Sequence, residues 1–174
     1  MSVEVWSKRK KIPQDAVAID VTKNGSDPTF VKFSPFYPHG DIPVPGFADV
    51  KTKSVEGAWQ GLKAFENEGP DLSLLNRDQS KKRPRTDSRG DVLGHRYGEG
   101  SDARLLDYVE ARRMIYVPMY EHVLQTRLAN EIELLKGLIR EGNRVLLLDY
   151  DVNENIECTS SPLSHASIIK RWLV

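Results

Sequence analysis

Three polar residues stand at helical spacing in the segment 53–65, which reads KSVEGAWQGLKAF. In an α-helix, Glu56, Gln60 and Lys63 share one face, and Trp59 lies between that face and the apolar one. Acid, amide, amine and indole together form a set that can bind and polarise a substrate. Glu56 falls in the first turn, where the helix dipole favours an ionised carboxylate, suited to a nucleophile, base or cation stabiliser. The alternative is a solvated face on which Glu56 and Lys63 form a surface ion pair.

The opposite face of this segment is apolar and predicts a helix over 54–67. Ser54 is a good N-cap, and Gly69-Pro70 is a typical stop signal. Gly57 and Gly61 lie inside the pattern, and each costs about 1 kcal/mol of helix stability relative to alanine. We therefore expect a ligand or another element to approach the helix backbone closely. The apolar face consists of Val55, Ala58, Leu62 and Phe65.

Two acids stand at the end of the segment NRVLLLDYD, whose apolar run predicts a buried strand. Asp149 and Asp151 are candidate catalytic residues, because an acid at a strand end often projects into a cleft, where it can protonate a leaving group or activate water. The alternative is a turn that solvates both carboxylates. No spacing among the four histidines is typical of a metal site, and one cysteine cannot form a cysteine-based zinc cluster, so we predict no metal. Cys158 has no evident base partner, so we do not predict a nucleophile there.

The elements that must position these residues follow from local patterns. Strands are predicted at VEVWS, AVAIDVT, TFVKF and NRVLLLDY. Helices are predicted from Asp102, over 118–140 and in the closing segment SHASIIKRWL. The proline-rich segment 34–52 predicts an ordered loop or an edge ribbon.

Length and composition narrow the class of protein. A chain of 174 residues predicts one domain, residues 1–174, large enough for a real core. The formal net charge is zero, so no global field attracts nucleic acid or an acidic membrane. Apolar stretches are too short to span a membrane, and no signal peptide follows the start MSVEVWSKRKK. We therefore expect a cytoplasmic protein without a membrane partner.

The segment 77–91 is polar and basic, with six Lys and Arg against three Asp. One interpretation is a solvated loop, and the other is a contact with nucleic acid. The cations of that contact would be Lys81, Lys82, Arg83 and Arg85.

Several of these residues also form a wider pattern. The segments FSPFYPHG and VKTKSVEGAWQGLKAF resemble the opening of the NADAR (YbiA-like) superfamily, where an aromatic turn precedes a helix with a Glu-His-x-x-Gln-x-x-Lys pattern. Glu56, Gln60 and Lys63 match that spacing, and LGHR at 93–96 is similar to a Gly-Arg element of the family. Pro35 and Gly57 depart from the family residues, and its late Trp-Gly motif is absent. The chain therefore resembles a divergent member of the NADAR superfamily.

The resemblance implies a fold and a chemistry. The fold would be α+β: a compact, mostly helical single domain with short β-strands. The activity would be that of an N-glycosidase, which cleaves a ribosyl C1–N bond of an ADP-ribosylated base, a riboflavin-pathway intermediate or a related nucleotide-like small molecule, without a cofactor.

The same chemistry assigns roles to the candidate residues. Glu56 would stabilise positive charge on the sugar, and Lys63 would hold a phosphate or hydroxyl or attack C1 as an amine. Gln60 and Ser34 would orient ribose hydroxyls, and Arg96 would bind pyrophosphate. The residues that would stack on a base are Trp59, Phe36 and Tyr37.

Two further hypotheses belong to other functional classes. A binding module would hold a nucleotide or ADP-ribose at the same residues without turnover. An interaction protein would contact nucleic acid through the segment 77–91. Glu56→Gln separates the binding module from an enzyme, because an enzyme would lose turnover while retaining much of its binding. A steep salt dependence of binding identifies the interaction protein.

Overall fold

The computed structural model describes residues 2–78, 83 and 86–174. The structure is α+β, 36% helical and 21% strand, so the predicted α+β class with more helix than strand is confirmed. The chain divides into two compact units. The first unit comprises Met1–Tyr37 and Glu121–Val174, and the second comprises Pro38–Tyr120. The prediction of a single domain over residues 1–174 stays a prediction.

The strands are short and spread along the chain. They are β1 (Ser2–Ser7), β2 (Ala16–Asp20), β3 (Ile42–Pro43), β4 (Lys51–Thr52), β5 (Lys63–Phe65), β6 (Val92–Tyr97), β7 (Arg104–Leu106) and β8 (Arg144–Asp149). The α-helices are α1 (Val55–Gly61), α2 (Tyr108–Ala111), α3 (Val117–Arg127), α4 (Ala129–Arg140) and α5 (His165–Leu173). Three 3-10 turns span Phe30–Phe33, Leu72–Asn76 and Gly100–Asp102, and a π-helical turn, Arg112–Tyr116, joins α2 to α3.

The first unit is built on a parallel sheet with the strand order β1-β8-β2. Strand β8 pairs with β1 through Ser7↔Asp149 and with β2 through Asp20↔Leu148. Residues 145–149 of β8 are buried, as expected for the central strand of a parallel sheet. Helix α5 packs against β1 and β8, and α4 packs against β8 and α5. Because the three strands are parallel, their carboxyl ends meet at one edge.

The predicted strand TFVKF is wrong, because this segment is the 3-10 turn Phe30–Phe33. The Asp27 side chain accepts a hydrogen bond from the Thr29 amide at 2.8 Å. The Asp27 carbonyl accepts another from the Val31 amide at 3.0 Å. These local bonds close a turn before a strand can form, because an aspartate side chain offers the backbone an alternative to a sheet ladder.

The predicted helix over 118–140 is wrong as a single helix, because Leu128 interrupts it. Leu128 has φ −123° and ψ 19°, outside the helical range, and its side chain is fully buried. The result is two helices, α3 and α4. No sequence signal marks this break, because Leu128 fits the apolar spacing of a continuous helix.

The second unit combines α1 with a two-stranded ribbon, β3–β4, and an antiparallel sheet with the order β5-β6-β7. The ribbon agrees with the prediction for the proline-rich segment. Strand β7 and a helix that begins at Tyr108 replace the predicted helix from Asp102, which is wrong at its start. Asp107 and Glu110 form a capping box there, with hydrogen bonds of 2.9 and 3.1 Å between each side chain and the other residue's amide.

The helix predicted over 54–67 ends at Gly61, so its second half is wrong. The Gly61 carbonyl accepts a hydrogen bond from the Asp71 amide at 2.8 Å, and the Leu62 carbonyl accepts one from the Arg96 amide at 2.8 Å. These bonds take carbonyls that a longer helix would use. Lys63 then enters β5, which pairs with β6, a strand that local patterns did not predict.

The two glycines of α1 are explained by a neighbouring element rather than by a ligand. A Cβ on Gly57 would lie 3.0 Å from the Leu74 carbonyl oxygen. A Cβ on Gly61 would lie 2.5 Å from Leu75 Cδ1 and 2.9 Å from the Asp71 carbonyl oxygen. The turn Leu72–Asn76 therefore packs directly on the helix backbone. The sequence predicts a close approach by either a ligand or another element, and the second alternative is the one observed.

We expect Gly61→Ala to destabilise the protein even though alanine is the better helix former. The added Cβ overlaps the Asp71 backbone oxygen, and such overpacking costs about 1–3 kcal/mol. Gly137→Ala in α4 is the matched control, because no described heavy atom outside the neighbouring helix backbone lies within 4 Å of its Cβ position. That control should gain about 0.5–1 kcal/mol. Urea unfolding measures both, and a Gly61→Ala protein at least as stable as the unmodified one would contradict the packing argument.

Candidate functional site

A hydrogen-bonded chain joins Glu56, Gln60 and Lys63 in the second unit. Ser54 caps α1, since its hydroxyl oxygen accepts a hydrogen bond from the Gly57 amide at 3.0 Å. Gln60 Nε2 donates to Glu56 Oε1 at 2.6 Å, and Lys63 Nζ donates to Gln60 Oε1 at 2.9 Å. Glu56 is only 5% exposed, whereas Lys63 is half-buried. The three residues are brought together although Lys63 belongs to β5 and not to the helix.

Gln60 serves as the bridge of this chain. Its Oε1 accepts a second hydrogen bond, from the Arg83 amide at 2.8 Å, and its side chain is buried. Both polar atoms of the amide are therefore used inside the protein. This arrangement positions Glu56 and Lys63, a different role from the ribose contact that the sequence predicts for Gln60.

Arg83 is a buried residue that binds neighbouring backbone, and its predicted contact with nucleic acid stays a prediction. It is 7% exposed. Its NH2 donates to Glu68 Oε1 at 2.6 Å and to the Gly69 carbonyl at 3.1 Å, and its NH1 donates to the Lys63 carbonyl at 3.0 Å. The guanidinium thus holds the backbone that carries Lys63. The other three predicted cations, Lys81, Lys82 and Arg85, lie outside the described residues.

His95 adds a neutral imidazole beside this chain. It pairs with Lys63 across β5 and β6, and its ring stacks on Trp59 with centroids 3.9 Å apart and an interplanar angle of 27°. Burial and then the Lys63 charge lower the pKa of His95 to about 3, against a smaller opposing effect of the Trp59 backbone. Neither ring nitrogen makes a hydrogen bond of ordinary geometry with any described residue. The imidazole is therefore uncharged at neutral pH.

An aromatic cluster surrounds Trp59, which is half-buried. The Tyr116 ring meets it edge-on at 5.3 Å between centroids, and the Tyr108 ring lies at 6.1 Å. The buried Arg112 places its guanidinium 4.1 Å from the centre of the Tyr108 ring. These ring contacts hold the indole in place.

Arg96, the predicted pyrophosphate ligand, follows His95 on β6. Successive side chains of a strand point to opposite faces, so Arg96 lies on the other face from His95 and Lys63. Its Nε is buried and makes no hydrogen bond with the described part of the chain. The structure therefore does not group Arg96 with Lys63.

Ser34, Phe36 and Tyr37, the predicted substrate contacts before the helix, belong to the first unit. Ser34 is buried, and its hydroxyl oxygen accepts a hydrogen bond from the Phe36 amide at 3.2 Å. The Ser34 carbonyl accepts another from the Tyr37 amide at 2.9 Å. Lys23 Nζ lies 4.6 Å from the centre of the Phe36 ring. The Ser34 hydroxyl shapes this turn, and the substrate roles of the three residues stay predictions.

Asp149 forms a buried charged network in the first unit. Its Oδ2 lies 3.0 Å from His165 Nδ1 and accepts a hydrogen bond from the Ser164 hydroxyl at 2.6 Å. Its Oδ1 accepts one from the Tyr150 amide at 2.7 Å. Burial alone raises the pKa of Asp149, but the His165 charge and these hydrogen bonds outweigh it and lower the pKa to about 2. Asp149 is therefore ionised at neutral pH, and its catalytic role stays a prediction.

His165 has an oxygen acceptor at each ring nitrogen. Nε2 lies 2.9 Å from the Val21 carbonyl oxygen, and Nδ1 faces the Asp149 carboxylate. A carbonyl and a carboxylate both accept, so both nitrogens donate and the ring is an imidazolium. Ser164 bonds the acid and not the imidazole, so this cluster is not a nucleophilic Ser-His-Asp triad. The one sequence signal for this cluster is the dipeptide Ser-His at the start of the predicted last helix.

Asp151, the remaining predicted catalytic acid, is half-exposed. It stands two residues beyond the end of β8 and outside the Asp149 network. Its catalytic role stays a prediction.

Comparison with known proteins gives a family. A sequence model described as "Family of unknown function (DUF6939)" matches residues 4–169. The chain belongs to DUF6939. The match spans nearly all of the chain, and no curated protein matches it. Membership of DUF6939 does not test the NADAR resemblance, which stays a prediction.

Two features are absent from the described residues of this DUF6939 protein. Among residues 2–78, 83 and 86–174, no three His, Cys, Asp or Glu side chains are grouped so that they could hold a metal ion. Over the same residues, no helix is both long and apolar enough to cross a membrane.

The Asp149 network predicts an acid-dependent loss of stability in this DUF6939 protein. The folded pKa of about 2 lies below the ordinary value of 3.8, so the stabilisation is complete above about pH 4 and disappears as the pH falls through 2. A shift of this size corresponds to about 2 kcal/mol. Urea unfolding between these pH values should show this loss, and Asp149→Asn should flatten it. An equally steep loss in Asp149→Asn would assign it to other carboxylates.

Proposed function

We propose that this protein is an N-glycosidase that hydrolyses a ribosyl C1–N bond of an ADP-ribosylated base or a related nucleotide-like small molecule. One observation carries the proposal: the Glu56 carboxylate is 5% exposed and is tied through Gln60 to the half-buried Lys63. Such an anion suits the stabilisation of a sugar cation. The resemblance of residues 33–65 to the NADAR superfamily supplies the substrate class.

Glu56 is the proposed electrostatic catalyst. Cleavage of the C1–N bond builds positive charge on the sugar, and a carboxylate near C1 stabilises that charge. Burial strengthens the interaction, because the local dielectric constant is lower than in water. The Gln60 amide restricts the carboxylate, which lowers the reorganisation needed during reaction.

Lys63 is the proposed ligand of a phosphate or hydroxyl. Its hydrogen bond to Gln60 and the Arg83 bond to its carbonyl keep it beside Glu56. In the reaction, water adds to C1 and releases a proton, the C1–N bond breaks, and the base leaves with the bonding electrons and takes up a proton. The proposed compartment is the cytoplasm.

The test is a panel of ADP-ribosylated bases, nucleotides and aminated sugar phosphates, incubated with the protein and analysed by liquid chromatography. We expect release of the base from at least one compound. Borohydride added during turnover would trap a Schiff base on Lys63, and a missing adduct would leave Lys63 as a phosphate or hydroxyl ligand. If every compound survives but one raises the melting temperature, the binding-module hypothesis replaces the enzyme.

A further inference from the structure

Four consecutive cations lie at the carboxyl edge of the parallel sheet in the first unit. Lys8–Lys11, with the sequence KRKK, follow β1 directly. The ends of β2 and β8 meet β1 at this same edge. In open parallel sheets, the crevice outside the carboxyl ends of the strands is the usual place for ligands. This basic edge, defined here as Lys8–Lys11 with Trp6 and Tyr150, shares no residue with the Glu56–Gln60–Lys63 chain.

The acids at this edge are largely neutralised by internal partners. Lys8 Nζ binds Asp20 and also donates to the Thr22 hydroxyl at 3.2 Å. Asp149 is paired with the His165 imidazolium. The remaining cations, Arg9, Lys10 and Lys11, are exposed. The first acid after β8 in the sequence is Asp151, which is half-exposed and could oppose these three cations. The edge therefore keeps an excess of positive charge, although the net charge of the chain is zero.

Aromatic rings are interleaved with these cations. Lys10 Nζ lies 5.7 Å from the centre of the Trp6 ring, and Arg9 Cζ lies 5.5 Å from the centre of the Tyr150 ring. Tyr150 is 38% exposed, and its hydroxyl oxygen accepts a hydrogen bond from Asn24 Nδ2 at 3.1 Å. Trp6 Nε1 makes no hydrogen bond with any described residue. A base that stacks on either ring would take the place of the cation beside that ring.

We propose that the basic edge binds single-stranded nucleic acid. Arg9, Lys10 and Lys11 contact successive phosphates, and unpaired bases stack on Tyr150 and Trp6. Alternation of cations with aromatic faces suits this polymer, because phosphates recur at every nucleotide and every base has a face that stacks. A duplex hides those faces, so single strands bind more tightly. Ile12 and Val152 are also exposed nearby, which makes an anionic membrane the alternative to exclude.

The test measures fluorescence anisotropy of a labelled oligouridylate of about 12 nucleotides, within the site sizes of known single-strand binders. The variant Arg9→Gln/Lys10→Gln/Lys11→Gln should bind at least about tenfold more weakly at low salt and show a salt slope about 2 units shallower, because three phosphate contacts are lost. The matched control, Arg127→Gln/Arg140→Gln/Arg171→Gln, removes three exposed cations from the same unit. It should retain nearly full affinity.

A second variant tests stacking separately from charge. Tyr150→Ala should weaken binding at least about fivefold while leaving the salt slope unchanged. Equal losses in the two triple variants would overturn the proposal, because they would report only net charge. It would also be overturned by absent binding at low salt, by binding to phosphatidylserine vesicles but not to the oligonucleotide, or by a loss of binding found only after neutralising Lys81, Lys82 and Arg85. Circular dichroism confirms that each variant is folded.

Discussion

Replacing Glu56 by glutamine should lower base release by about a hundredfold or more and leave the fold unchanged. The amide has nearly the shape of the carboxylate, and its oxygen can still accept the hydrogen bond from Gln60 Nε2 that Glu56 Oε1 accepts at 2.6 Å. Only the negative charge is lost. If that charge stabilises the sugar cation, kcat falls while ligand affinity, measured by calorimetry, changes little.

The control for this experiment is Glu99→Gln in the same unit. Glu99 is exposed and accepts a hydrogen bond of 3.4 Å from the Ala48 amide, so loss of its charge should leave kcat unchanged. A Glu56→Gln protein with unchanged turnover would refute the role of Glu56 while leaving other glycosidase mechanisms open. Equal losses of kcat in both variants would point to a general effect of charge.

Replacing His165 by alanine should destabilise the protein by about 3–5 kcal/mol, the usual cost of removing one partner of a buried ion pair. The change leaves the buried Asp149 carboxylate without its cation and the Val21 carbonyl without its donor. The Ser164 hydroxyl and the Tyr150 amide still bind Asp149, but they do not neutralise it. Urea unfolding at neutral pH measures the loss.

Lys170→Ala supplies the matched control in the same helix, α5. Lys170 Nζ lies 2.8 Å from Glu154 Oε2, but both side chains of this pair are well exposed. A surface pair of this kind contributes about 0–1 kcal/mol. If His165→Ala lost no more stability than Lys170→Ala, the Asp149 network would not hold the end of β8, and the imidazolium assignment would be wrong.

Local sequence patterns determined where several elements form. The apolar runs of β1, β2 and β8 and the spacing of α5 predict their positions, because burial of a strand or of one helix face leaves a periodic signal. Ser54 predicts the start of α1 for a similarly local reason, since its side chain caps an amide three residues away. The shared position of Glu56 and Gln60 also follows from spacing, because both lie in α1.

Tertiary structure decided what those elements do. Lys63 reaches Gln60 from β5 rather than from a continued helix, because β6 pairs with β5 and the Asp71 and Arg96 amides take the carbonyls at the helix end. Arg83 and His95 join the site from distant segments, and no local period encodes such contacts.

The sequence also did not determine the charge states of the acids. Asp149 and Asp151 look alike at a strand end, yet only Asp149 meets the Ser164 hydroxyl and His165. The sequence by itself determined which polar residues could do chemistry and most of the elements that carry them. The tertiary structure decided which of those residues are buried, bridged or ionised, because burial and long-range hydrogen bonds depend on neighbours that only folding brings together.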